Sequence, residues 1–241
     1  PPKGMSVTQA QHLVEGFENV FICETEVDML TQFLNLIEDV DVLSGWNSEG
    51  YDLPYIINRI KKVMSKDDTR RLCLWKQLPK KRTFERYGRE QETYDLVGRV
   101  HVDSLELYRK YTYEERHSYR LDAIGEHELG ETKTVYEGSL DQLYNQDFRK
   151  FIEYNRQDVA LLDKLDKKLK FIDLTNELAH ANTVLLQTTL GAVAVTEQAI
   201  INEAHRRGVQ VPNRPKRDDN STTAAGAYVA YPRKGLHSWI G

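Results

Sequence analysis

Two short stretches of the chain hold side chains of types that can bind a cation and move a proton. In the first, Asn47, Tyr51 and Asp52 fall in the segment Gly45–Asp52, which leads from an apolar run into a helical pattern. Ligands of an open α/β sheet collect beyond the carboxyl ends of its strands, so such a loop sets an amide, a phenol and a carboxylate at one mouth. A structural role competes for Asp52, because Asp ahead of Leu-Pro is also a good helix N-cap. In the second stretch, Tyr154 and Asp158 lie four residues apart and share one helix face, beside a seam of Phe151, Val159 and Leu162. A phenol and a carboxylate at this spacing can orient a water molecule and hold a metal ion. A half-buried tyrosine beside a solvated aspartate is the commoner outcome of such a pair.

The elements that must position these groups alternate between strand and helix. Val20–Cys23 and Val40–Leu43 read as short strands, and Gly98–Val102 as a third that ends on Asp103. Residues 1–17 read as polar loop. Thr25 with Asp28 marks a helix start, followed by Val27, Leu30, Phe33, Leu34 and Ile37 at helical spacing, so Glu24 and Glu26 read as acids of that start. A helix follows from Asp52, with Pro54 in its first turn. Ser118 caps another, which Gly130 stops. From Asp147 the periodicity runs through Phe148, Ile152, Leu165 and Ile172; unbroken to Leu178, that helix would reach about 45 Å. Val193–His205 predicts a further helix. Pro212–Thr223 reads as a connector, and Gly226–Gly241 as a hairpin. The fold class is α/β with a partly parallel sheet.

The chain has 241 residues, 40% apolar and 29% charged, with a formal net charge of −4. That composition suits a soluble globular protein, and no apolar run approaches the roughly 20 residues of a membrane helix. Cys23 and Cys73 have no paired spacing, which argues against a disulfide framework or a zinc ribbon and for a reducing, cytoplasmic setting. The seven histidines are assigned to no metal. Net acidity argues against nonspecific coating of nucleic acid, yet 12 Lys/Arg face 3 Asp/Glu between Arg59 and Arg89. That basic segment suits either a phosphate backbone or a solvated insertion, and charge alone leaves both open.

Taken together, the segments are recognisable. Gly45-Trp46-Asn47-Ser48-Glu49-Gly50-Tyr51-Asp52-Leu53-Pro54-Tyr55-Ile56 resembles the second exonuclease motif of family B DNA polymerases of the T-even-like phage type. Tyr154-Asn155-Arg156-Gln157-Asp158 is similar to the third motif of that family. Ser118–Ile124, Leu129–Lys133 and Tyr136–Gly138 match between them, and Gly226–Leu236 resembles the stretch ahead of the first polymerase carboxylate motif. The resemblance implies a proofreading 3′→5′ exonuclease of RNase H-like fold with a mixed sheet, followed by a mainly helical segment and a C-terminal hairpin. It implies two divalent ions, Mg²⁺ or Mn²⁺, about 3.5–4 Å apart at the scissile phosphate. By the same resemblance Asp52 and Asp158 are metal ligands, Tyr154 positions the attacking water, and Lys133 neutralises phosphate charge. Asn47 and Tyr51 would hold the unpaired nucleotides of a single-stranded 3′ end of DNA, while Trp46 belongs to the core.

The first motif of the family, an Asp-x-Glu on the first strand, has no match, so the N-terminal strands are expected to be missing. Residues 1–168 then form a partial exonuclease domain and 169–241 the beginning of the polymerase region, the chain being an excerpt of a longer polymerase. With half the carboxylates absent, this chain alone is expected to show little nuclease activity. Its expected partners are DNA, the remainder of the polymerase chain and replisome proteins, in the cytoplasm of a host if the source is viral. The alternatives are a free-standing exonuclease of the same acidic-residue chemistry and a non-catalytic module binding single-stranded nucleic acid.

Overall fold

The computed structural model describes residues 1–86, 89–131, 138–213, 231 and 235. The first element is a helix, α1 (Val7–Leu13), where the polar composition predicts loop. Ser6 and Gln9 cap it reciprocally, each side chain accepting from the backbone N–H of the other. Its Ala10, with Val14 just beyond, is buried against Phe148. Val20–Cys23 forms no strand. Val20 and Ile22 instead pack into that same cluster beside Phe151 and Ile152, so their alternation reflects seating on a helix rather than a sheet ladder. Arg156 ties the approach down by donating to the Glu18 carbonyl.

Thr25 opens α2 (Glu26–Leu36) as the spacing predicts, its hydroxyl accepting from Asp28 N at 3.1 Å. Glu26 is a structural acid of this helix start, held by the Arg59 guanidinium with Nε at 2.6 Å from Oε1. The chain continues through β1 (Val42–Gly45), α3 (Asp52–Val63) and a 3₁₀ turn, Asp67–Leu72. It then forms β2 (Lys80–Arg86), β3 (Arg89–Asp95) and β4 (Val100–Asp103). Strands β1 and β4 pair in parallel, Val42 opposite Val100 and Gly45 opposite Asp103. Strands β2 and β3 form an antiparallel hairpin in a second sheet. Among the described residues, the parallel and antiparallel parts are thus two separate two-stranded sheets, not one mixed sheet.

The hairpin changes the reading of the basic segment. Strand β3 returns acids that lie just past Arg89, and they meet the cations of β2. Lys81 pairs with Glu92, and Arg82 reaches both Asp95 (3.1 Å) and Glu49.

Leu34, Ile57, Ile60 and Leu72, each at most 1% exposed, form the core under the first sheet. A second cluster of Tyr108, Ile124, Leu161 and Leu165 joins α4 (Ser104–Tyr111), α5 (Leu121–Leu129) and the long α7 (Phe148–Leu169), which follows α6 (Leu140–Gln146). Val159 does not join the seam expected of it: it is 65% exposed. Helix α7 stops at Lys170, which takes the left-handed conformation with φ 53°, and α8 (Phe171–Asn182) begins at once. The period runs through this break because Phe171 is still drawn inward, against Tyr108 and Tyr111 with ring centroids 6.4 and 5.5 Å away. A second 3₁₀ turn, Leu186–Leu190, and α9 (Ala192–Arg206) follow. Lys110 fastens them to α4 by donating to the carbonyls of Thr189 (2.7 Å) and Leu190 (2.8 Å). The hairpin expected at Gly226–Gly241 lies outside the described residues. No helix among those described is long and apolar enough to cross a membrane.

Candidate functional site

The parallel pairing of β1 and β4 sets Gly45 beside Asp103, and the loop after Gly45 is built around that aspartate. Asp103 is 3% exposed. Its Oδ1 accepts from Asn47 N (2.9 Å) and Leu105 N (3.0 Å), and its Oδ2 from Glu49 N (3.0 Å). One side chain therefore caps α4 and pins the loop that leads to α3. Burial pushes the Asp103 carboxyl above its ordinary range, and the three N–H donors oppose that shift. A Cβ at position 45 would lie 2.7 Å from that of Ser48, so only glycine lets the loop fold back on the strand. Asn47 has φ 60°, a left-handed conformation that asparagine tolerates better than most residues. Its identity thus has a backbone reason as well as a chemical one.

Asp52 is the first residue of α3, not its N-cap; Tyr51 takes that place and makes no side-chain capping bond. The capping role that competes for Asp52 in the sequence is therefore not the one it performs. Its carboxyl is raised by partial desolvation, with its own backbone N–H and His101 acting the other way. His101, on β4, sits 3.0 Å through Nε2 from Ser48 Oγ. Burial lowers the imidazole pKa against the pull of Glu49 and Asp52, which favours the neutral ring. Tyr51 and Tyr55 are 63% and 54% exposed and stack, with centroids 5.9 Å apart and planes 10° from parallel.

Asn47 and Gly50 line one wall of a cavity of about 650 Å³; Arg109, His117 and Arg120 line another. Arg109 lies over the Tyr119 ring at 4.7 Å. Trp46 behaves as a core residue: its indole N–H donates to the Tyr119 carbonyl at 3.0 Å, and its ring packs on Tyr108.

Tyr154 and Asp158 sit on α7, both half-buried, with Asp158 Oδ1 screened from solvent. Lys133 lies outside the described residues. Among the described residues, no group of three or more His, Cys, Asp or Glu side chains forms a cation site. The structure thus gathers Asn47, Tyr51 and Asp52 at one mouth and keeps Tyr154 with Asp158 on one helix. Each group holds one carboxylate, and among the described residues neither is part of a cluster of three or more potential ligands. Among the described residues, a donor set for a pair of divalent ions is not complete.

Asp103, His101 and the cations of the cavity were not singled out from sequence. A signal existed for Asp103, an acid closing an apolar strand and opening a helix. His101 and Arg109 come to the loop only through strand pairing and helix docking.

Residues 3–124 match the exonuclease domain of DNA polymerase family B. The chain belongs to this family. Similar relatives include the DNA-directed DNA polymerases of Escherichia phage RB69 and Enterobacteria phage T4, each 27% identical over 90% of this chain and 24% of the relative. The DNA polymerase delta catalytic subunit of Bos taurus is 29% identical, over 89% of this chain and 20% of its own length. The chain thus spans about a quarter of the length of the phage relatives it matches. The family match contains Asn47, Tyr51, Asp52 and Asp103 and ends before Lys133, Tyr154 and Asp158. Exonuclease domains of this family are generally divalent-metal dependent.

Proposed function

We propose that this chain supplies the strand-gripping part of an RNase H-like 3′→5′ proofreading exonuclease belonging to a DNA-directed DNA polymerase. The observation that carries this reading is the Asn47–Asp52 loop. Asp103 fixes its backbone, Tyr51 and Tyr55 offer an open stacked face, and a cavity walled by Arg109 and Arg120 adjoins it. Aromatic faces beside cations accept the bases and phosphates of a single strand without regard to sequence. In this reading Asn47 and Tyr51 hold the unpaired 3′ end, Asp52 and Asp158 are ligands for Mg²⁺ or Mn²⁺, Tyr154 orients water, and Lys133 faces the phosphate. Residues 1–168 make up the partial exonuclease domain and 169–241 the start of the polymerase region. The remaining polymerase chain and replisome proteins are the proposed partners, in the cytoplasm.

The described carboxylates do not assemble a site for two ions, so the chain alone is expected to bind single strands but hydrolyse them poorly. The same incompleteness favours, as a second reading, a binding module without catalysis. Fluorescence anisotropy of a 3′-labelled oligonucleotide tests the grip. Tyr51→Ala is expected to weaken binding by about 1–3 kcal/mol, the worth of one stacked base. Unchanged affinity would remove Tyr51 from the interface. Mg²⁺-dependent digestion of 3′-mispaired DNA by this chain, abolished in Asp158→Ala, would overturn the expectation of inactivity and dismiss the second reading.

A further inference from the structure

A second cavity, of about 290 Å³, lies between α2 and the loop that follows the first 3₁₀ turn, and it shares no lining residue with the Asn47 cavity. Its floor is Arg99, 1% exposed. The Nη2 of Arg99 donates to the Glu38 carbonyl at 3.0 Å, whereas its Nε and Nη1 are buried with no hydrogen-bond partner. A guanidinium stays charged at any physiological pH, and a buried charge requires an anion or a full set of acceptors. Among the described residues, no acceptor is bonded to Nε or Nη1 of Arg99.

The walls repeat the same sign. Arg70, Arg71 and Lys76 line the cavity, against Glu38 as the single acid, which is solvent-exposed. Arg71 spends one donor on Asn35 Oδ1 at 2.6 Å. Arg70 is paired through Nε with Asp67 at 3.1 Å and braces the loop by donating to the Lys76 carbonyl at 2.9 Å, so Arg71 and Lys76 carry the charge of the wall. Trp75 and Lys76 both hold positive φ, 53° and 54°, conformations that L side chains rarely adopt. The strained turn presents Trp75 outward. A Cβ at Gly98 would lie 2.7 Å from its Cζ3, so the indole rests on Gly98, yet Trp75 remains 74% exposed.

We propose that this cavity is a phosphate site that takes a mononucleotide, its phosphate over Arg99, Arg71 and Lys76 and its base on the open face of Trp75. A phosphate monoester supplies acceptor oxygens for the two unpartnered N–H groups and a counter-charge for a basic lining. An aromatic plane at the rim selects for a ligand that carries a base.

The test follows the Arg99 Nε–H resonance of the full chain in ¹⁵N-resolved spectra while dAMP or inorganic phosphate replaces chloride at constant ionic strength. Both are expected to give a saturable shift. dAMP should bind about tenfold more tightly than inorganic phosphate through stacking, and should quench fluorescence that Trp75→Phe removes. Arg99 is a core residue, so rim variants serve as the controls: Arg71→Ala and Lys76→Ala should each weaken dAMP by about tenfold with an unchanged circular dichroism spectrum. No saturable shift at Arg99, or affinities unaffected by both rim changes, would overturn the site. Equal affinity for dAMP and inorganic phosphate would overturn the nucleotide assignment.

Discussion

Replacing Asp103 by asparagine tests the view that one buried carboxylate shapes the loop. Asp103→Asn keeps an oxygen for Asn47 N and Leu105 N but turns the acceptor facing Glu49 N, now 3.0 Å away, into an NH₂ donor. A hydrogen bond to a charged group contributes about 1.5–3 kcal/mol. Burying a neutral amide in place of a carboxylate that burial already disfavours returns a part of that. The expected net loss is about 2 kcal/mol, which for a chain of this size lowers Tm by roughly 4–8 °C. Asp103→Ala leaves three N–H groups without an acceptor and should lose about 3–5 kcal/mol. Urea unfolding followed by circular dichroism measures the totals, and amide hydrogen exchange locates them. In Asp103→Asn the Glu49 amide should exchange about 30-fold faster relative to Asn47 and Leu105, the equivalent of ~2 kcal/mol. An unfolding midpoint equal to that of the unaltered chain would refute the keystone role. So would acceleration shared evenly by all three amides.

Three other perturbations follow from described contacts. The lowered His101 pKa means that the folded chain binds fewer protons than the unfolded one below about pH 6.5. Its contribution is therefore fully present at higher pH and lost as pH falls, and His101→Gln should flatten stability against pH between 7 and 5 in urea titrations. An unchanged slope would contradict the burial. Neutralising Lys80, Lys81 and Arg82 together should reduce the salt slope of single-strand binding by nearer ~0.7 than the ~2 of three solvated cations, because Lys81 and Arg82 are already paired within the fold. A fall of two units would show that those pairs yield to DNA. Gly125→Ala drives a Cβ to within 2.7 Å of Leu161 Cδ2 and should destabilise α5 against α7 by about 1–3 kcal/mol, with partial rescue by Leu161→Ala in equilibrium unfolding.

What the sequence shows in advance is local. The start of α2 is legible because Thr25 and Asp28 satisfy each other within one turn, and that of α3 because Pro54 suits a first helical turn. Helix α1 was concealed, since its burial rests on Ala10 and on a helix more than a hundred residues later. The β2–β3 hairpin is not legible in the basic run Arg59–Arg89 because the compensating acids Glu90 and Glu92 lie on the return strand, just beyond it. The break at Lys170 has neither Gly nor Pro to announce it. At the site, Asn47, Tyr51 and Asp52 are contiguous and could be read together. Asp103 and His101 are brought to them by the β1–β4 pairing, a contact across more than fifty residues that no local pattern encodes.

The joint at Lys170 gives the molecule a lever. Helix α8 extends about 18 Å beyond it, so a torsional change of ten degrees at that single residue sweeps the far end of α8 by about 3 Å, taking the second 3₁₀ turn and α9 along. The ammonium of Lys110, clasping the carbonyls of Thr189 and Leu190, is a polar tether that opposes such a swing, beside the seating of Phe171 on Tyr108 and Tyr111. Cutting it would leave that arm held by packing alone, α8 on α4 and the second 3₁₀ turn on β4.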